Sequence, residues 1–190
     1  MFTPSDFART IRARFGEAAI VAEDAASTPP TLVLNPAQLV GIAHFLHDDP
    51  AHWFDFLSCL TGVDNGPAAG TMEVIYHLNS LPHDQHLTLK VRVPRRAADE
   101  PLPEVPSVTP IWPGADWHER EAYDLLGIRF TDHPDLRRIL CPADWVGHPL
   151  RRDYVVQPVY HGLPVPYDGH NERNGHQPER DVRPTFGERA

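Results

Sequence analysis

Four charged side chains crowd one short stretch, Glu119, Arg120, Glu121 and Asp124, inside Asp116-Trp117-His118-Glu119-Arg120-Glu121-Ala122-Tyr123-Asp124-Leu125-Leu126-Gly127. Carboxylates and a guanidinium at this density suit three kinds of work: acid–base catalysis, intrachain ion pairing, or recognition of a charged partner surface. Nothing nearby looks like the nucleophile that a catalytic carboxylate pair would serve. Capping with ion pairing and direct partner contact are the stronger readings, and the two can coexist. A little downstream, His133-Pro134-Asp135-Leu136-Arg137-Arg138-Ile139-Leu140 adds an imidazole and two guanidinium groups. The 12 histidines include no HExxH pair. His44 and His47, with His52 after them, have helical spacing, which is weak evidence for a metal. His118, Glu121 and His133 are the set that a free-standing metallohydrolase would use.

These side chains must be carried by a short helix. Asp116 can cap it, Glu119 stands three residues on as in a capping box, and Gly127 suits the C-terminal stop. At ~100° per residue, Arg120, Glu121 and Asp124 share one side, with Arg120 and Asp124 as an i,i+4 pair. Leu125, Ala122, Leu126 and Tyr123 cover the other arc, and Glu119 falls inside it. A carboxylate there requires a basic partner or backbone donors, and Arg137 or Arg138 folding back would serve.

Before this helix, Pro101, Pro103, Pro106, Pro110 and Pro113 impose an extended crossing segment. Before that the pattern is β. Phe54 to Val63 reads as a buried strand with Cys59 in the core. Met72, Val74, Tyr76 and Leu78 alternate with polar or outward residues, as do Leu87, Leu89, Val91 and Val93. At the N-terminus, Thr3 as N-cap with Pro4 at the first helical position opens a helix striped by Phe7, Ile11 and Phe15 and ended by Gly16. Asn35-Pro36 opens a second, faced by Leu39, Ile42, Ala43 and Leu46. Short strands fit Ala19 to Ala22 and Thr31 to Leu34. The fold class that follows is α/β of the α+β type: an antiparallel or mixed sheet meander with helices packed on one face, over about residues 1–150. Residues 151–190 lose apolar periodicity and read as an extended docking tail, with Tyr154, Val155, Val156, Val159, Tyr160, Leu163, Val165 and Tyr167 as spaced anchors. His161, His170 and His176 in this tail read as solvated.

Composition narrows the function. With 26 acidic and 17 basic residues the net charge is −9, which disfavours a nucleic-acid binder. Cys59 and Cys141 form no CxxC and suggest a reducing compartment. No apolar run approaches the ~20 residues that cross a bilayer, and the N-terminus lacks the marks of a signal peptide. A chain of this kind found at a membrane is held there by partners.

The string Glu119-Arg120-Glu121-x-x-Asp124-Leu125-Leu126, six residues, His133, three residues, Arg137, one residue, Ile139-Leu140 resembles the signature of the thirty-kilodalton subunit family of proton-translocating NADH:quinone oxidoreductase, respiratory complex I. Leu126-Gly127-Ile128-Arg129-Phe130 and Asp144-Trp145-Val146-Gly147-His148-Pro149-Leu150-Arg151-Arg152-Asp153-Tyr154 are also similar, so the likeness runs from Trp112 to Tyr154. The resemblance implies an α/β subunit of the hydrophilic arm, on the cytoplasmic side of the cell membrane. It would pack against the subunit that forms much of the quinone site and against neighbouring iron–sulfur subunits. The whole enzyme passes electrons from NADH through FMN and iron–sulfur clusters to quinone and couples this to proton translocation. Members of the family hold no cofactor themselves, and this sequence lacks a cluster cysteine set, a Walker loop and a Rossmann fingerprint. Glu119, Arg120, Glu121, Asp124, His133, Arg137, Arg138, Arg151, Arg152 and Tyr154 are the expected structural and partner-contact residues. The equivalent subunit of a related membrane-bound hydrogenase or ferredoxin-accepting complex is the nearest alternative.

Overall fold

The computed structural model describes residues 4–27, 29–97 and 100–165. The N-cap expected at Thr3, the anchor at Tyr167 and the histidines at 170 and 176 lie outside them. The described chain parts between Tyr154 and Val155 into two units.

In the first unit, helix α1 (Pro4–Phe15) starts on the proline that suits its first turn and ends at Gly16, where φ is +87°. It buries Phe7, Ala8 and Ile11. Strand β1 (Ile20–Asp24) pairs antiparallel with β2 (Thr31–Leu34). The Asn35 side chain then accepts the Ala37 N–H, and a short 3-10 turn leads into α2 (Leu39–Asp48). Leu39, Ile42, Ala43 and Leu46 are its buried face.

The meander is β3 (Phe56–Asp64), β4 (Thr71–Ser80) and β5 (Gln85–Pro94), all antiparallel neighbours. β2 joins it by pairing parallel with β5, giving a five-stranded mixed sheet of order β1-β2-β5-β4-β3. Met72, Val74, Tyr76 and Leu78 of β4 face the same core as Leu87, Leu89, Val91 and Val93 of β5, the period of two read from the sequence. Side chains of all the helices join this single core, so the helices cover one face. The strand expected from Phe54 to be fully buried is instead an edge strand. Phe54 sits in the core ahead of it, Phe56 is half-exposed, a bulge lies between Leu57 and Cys59, and Cys59 is only half-buried. An edge strand has one unpaired side, so its apolar run does not translate into burial.

The proline-rich segment runs extended and forms β6 (Glu104–Pro106), paired parallel with β7 (Arg129–Thr131). Between these strands lies α3 (Ala115–Leu126), packed on β3. The contact is close at Gly62, where a Cβ would lie 2.5 Å from Leu126 Cδ1 and 3.3 Å from Ala122 Cβ. From Asp132 to Tyr154 the chain has neither helix nor strand.

The second unit falls within the stretch read from the sequence as an extended tail, 151–190. Its described part contains a hairpin, β8 (Val159–Tyr160) with β9 (Leu163–Pro164), turned at His161 and Gly162, both at positive φ. Two positive-φ residues match the right-handed strand twist.

Candidate functional site: a charged clamp around the third helix

The capping expected of Asp116 does not occur. The N-cap of α3 is Gly114, without a side-chain cap, and Asp116 lies inside the first turn. Its acidic charge still suits that end of the helix dipole. Gly127 stops the helix in the left-handed conformation, with φ +69°, as its lack of a Cβ allows.

Glu119 is fully buried on the apolar arc. Neither Arg137 nor Arg138 reaches it; its donors come from the proline-rich segment. Val108 N–H donates to Oε1 at 2.8 Å, and the Ser107 and Thr109 hydroxyls donate to Oε2 at 2.6 and 3.1 Å. Burial pushes this carboxyl above its ordinary value, against those hydrogen bonds and the nearby His133. The His133 ring is also buried, with Nε2 3.9 Å from Glu119. Its Nδ1 accepts the Asp135 N–H at 3.0 Å, so Nε2 carries the proton and points to Asp116, 3.3 Å from the carbonyl and 3.1 Å from Oδ1.

Asp124 is the second fully buried carboxylate. Arg138 donates to Oδ1 at 2.8 Å, while the N–H groups of Ile139, Leu140 and Cys141 converge on Oδ2 at 3.0, 2.8 and 2.8 Å. Burial alone would raise its pKa, but these donors together hold the carboxyl below its ordinary value. Arg138 also reaches the Gly147 carbonyl at 3.0 Å, and the His148 Nδ1–H donates to the Asp124 carbonyl at 2.9 Å. Arg120 does not pair with Asp124 as the helical spacing suggested. Its guanidinium lies over the Trp117 ring, 5.3 Å from the centroid, and its Nε is 3.4 Å from the Arg137 carbonyl. The competing donors around Asp124 are preorganised, whereas an i,i+4 pair must order two side chains.

The irregular segment then closes over the end of α3. Leu150 N–H donates to the Leu125 carbonyl at 2.9 Å. Arg151, buried, donates to the carbonyls of Leu126 (2.8 Å) and Arg96 (3.0 Å). It thereby serves acceptors that the last helical turn leaves open. Burial, then the nearby Arg95, lowers the Arg151 pKa. Arg152 contributes its backbone N–H, which meets Asp64 Oδ2 at 2.9 Å. Asp64 is gripped by Arg95 at 2.8 and 3.2 Å, and Arg95 also pairs with Asp153. Tyr154 accepts the Trp145 Nε1–H at 2.9 Å. Glu121 and Arg137 remain exposed, Arg137 paired with Asp135 at 2.8 Å.

The sequence reading overlooked Ser107, Thr109, Asp64 and Arg95. A Ser-x-Thr pair among five prolines was the available signal for the first two, because such a segment has backbone and hydroxyl donors not engaged in a helix. Nothing local marked Asp64 and Arg95, which are 31 residues apart. His118, Glu121 and His133 do not form a metal set: among the described residues no three His, Cys, Asp or Glu side chains are grouped to hold an ion.

The chemistry of this arrangement is adhesive. The buried carboxylates of Asp124 and Asp64 and the guanidinium groups of Arg138 and Arg151 are occupied by donors and acceptors of the same chain. They tie an irregular segment onto the end of α3 and onto β3, while Glu119 fastens the proline-rich segment to the same helix. The segment leaves Leu140, Val146 and Leu150 exposed, as Trp117 is on α3.

The profile of the family described as "Respiratory-chain NADH dehydrogenase, 30 Kd subunit" matches residues 32–160. An NADH-quinone oxidoreductase subunit from Chloroherpeton thalassium is 46% identical over 160 residues, covering 84% of this chain and 64% of its own length. Like-named proteins from Chlorobium phaeobacteroides and Roseiflexus sp. are 43% and 49% identical, covering 83% and 65% of this chain and 92% and 68% of theirs. Among solved structures, a chain of the membrane-bound sulfane sulfur reductase, an archaeal respiratory membrane complex, superposes with a TM-score of 0.54. It covers 66% of this chain and 71% of that one at 23% identity, a likeness of fold. The whole clamp from Ser107 to Tyr154 lies inside the stretch that the family profile matches, and on that match and these identities the chain belongs to the 30 kDa subunit family of respiratory-chain NADH dehydrogenase.

Proposed function

We propose that this chain is a non-catalytic subunit of the hydrophilic arm of an NADH–quinone oxidoreductase, holding neighbouring subunits in place while FMN and iron–sulfur clusters in other chains carry the electrons to quinone. One observation supports this most: buried charged residues of the 119–154 stretch are engaged in fastening an irregular segment that displays exposed apolar side chains. Buried charge used in this way specifies one surface shape, which is what a docking partner reads. Trp117, Leu140, Val146 and Leu150, with the exposed Arg137–Asp135 pair among them in sequence, are the contact set for the quinone-site subunit and nearby iron–sulfur subunits. No described helix is long and apolar enough to cross a membrane, so attachment at the cytoplasmic face of the cell membrane would run through those partners.

Charge reversal tests the reading. Arg137→Glu leaves the buried clamp untouched, because Arg137 bonds only outward to Asp135 through its side chain. The variant chain should fold with an unchanged unfolding midpoint. The assembled, quinone-reducing enzyme should fall several-fold, while NADH oxidation by an artificial acceptor stays comparatively intact. Full assembly together with full quinone reduction would remove Arg137 from the contact set.

A further inference from the structure

Away from the clamp, one end of the sheet carries a cluster of exposed apolar side chains: Trp53 (48% exposed), Phe56 (48%) and Leu81 (68%). Their loops are zipped together. The Leu81 N–H donates to Asp55 Oδ1 at 3.1 Å, His83 Nε2 lies 2.9 Å from the Pro50 carbonyl, and Phe56 pairs with Asn79 across β3 and β4. Trp53 is held at φ +40°, a left-handed conformation that a bulky side chain rarely adopts. Two more bonds hold it there, Trp53 N–H to the Asp49 carbonyl at 2.8 Å and Asp55 N–H to the Trp53 carbonyl at 2.9 Å. A large ring kept half in water on a strained backbone disfavours the free chain twice over, and such costs persist where a partner covers the ring.

The charge around the ring says what that partner is. Between Arg14 and Lys90 the sequence contains no Lys or Arg but has nine acids. Five of them, Glu17, Glu23, Asp24, Asp64 and Glu73, are ion-paired elsewhere with Arg12, Lys90, Arg92 and Arg95. Asp48, Asp49, Asp55 and Asp84 lie in or beside the two zipped loops. Asp48 is bonded to His47 and lies near His44. Arg14 lines the adjacent crevice with Asp48 and Asp49, its guanidinium over the Phe45 ring. We propose that this loop cluster is a second docking surface, for a basic segment of a neighbouring protein in which Lys or Arg side chains alternate with apolar ones. The cation would sit over Trp53 and between the aspartates, and the apolar residues would cover Phe56 and Leu81.

This inference rests on the reading that the chain works inside an assembly, and the test separates the two. A photo-crosslinking phenylalanine is placed at Trp53, and separately at Trp117 as the reference, in the full chain expressed with its native membranes. Crosslinked peptides are then sequenced. Position 53 is expected to capture a peptide of another protein with Lys or Arg within a few residues. Asp48→Lys, a benign change at a helix C-terminus, should lower that yield by about threefold or more without altering the yield at 117. Crosslinks from 117 with none from 53, or capture at 53 of lipid or of a segment lacking basic residues, would overturn the inference alone. Silence at both positions would overturn the assembly reading as well. Trp53→Gly relieves the backbone while removing the ring. The isolated variant should melt no lower than the parent yet be recovered in the assembly several-fold less, and equal recovery would count against docking.

Discussion

At the scale of single residues, the two buried carboxylates differ in what surrounds them, and this predicts opposite responses to neutralisation. The close donors to the Asp124 carboxylate are irreversible: three backbone N–H groups and a guanidinium, all within 3.0 Å. Asp124→Asn turns an NH2 group toward at least one of them and should cost about 3 kcal/mol, read from urea midpoints. Two of the three donors to Glu119 are hydroxyls, which can turn and accept, and Ser107 can redirect its own proton to Thr109 Oγ1, 3.0 Å away. Glu119→Gln should therefore cost less than ~1 kcal/mol. The pH dependences also have opposite signs. The folded Asp124 carboxyl titrates below its unfolded value of about 4, so its contribution is complete above that value and lost as the pH falls through the folded one. The folded Glu119 carboxyl titrates above the same unfolded range, so stability declines as the pH rises from about 4 to its higher folded value. Stability of Glu119→Gln measured across this window should lack that decline, and an unchanged slope would show that another group causes it. Burial of Glu119 was legible from helical phase alone. Its donors were not, because Ser107 and Thr109 precede it by more than two helical turns and reach it only once β6 is paired with β7.

At the scale of elements, the position of α3 depends on a missing side chain. Gly62 lets Ala122 and Leu126 approach β3, and a β-branched residue there would drive into Leu126. Gly62→Val is expected to destabilise by about 1–3 kcal/mol despite its better strand propensity. A thermal midpoint equal to that of the parent would mean that the helix can shift without loss. The clamp is an element of a different kind, since Asp132 to Tyr154 has no repeating backbone pattern and takes its form from Asp124, Arg138, Arg151 and Asp64. Helices α1 and α2 and strands β4 and β5 were readable because each repeats a buried position at its own period. The edge character of β3 was not, since burial there depends on how many neighbours a strand has, a property of the sheet.

At the scale of the whole molecule, the proposed role is mechanical. Purified alone, the chain is expected to be colourless, without flavin or iron–sulfur absorbance, and to leave NADH unoxidised. A stoichiometric chromophore or turnover by the isolated chain would overturn that role. The amino-acid sequence by itself determined the class of fold, the placement of most helices and strands, the burial of a carboxylate at 119 and the family to which the signature from Glu119 to Leu140 pointed. These depend on periodicity and on fixed short spacings, which a linear string preserves. Only the tertiary structure decided that β2 lies parallel beside β5, that Arg138 rather than Arg120 neutralises Asp124, and that Arg151 closes the end of α3. The reason is common to all three. Hydrogen-bond donors are matched to acceptors by proximity in space, and proximity across 14 to 57 residues arises only when the sheet, the helix and the segment wrapped over it have come together.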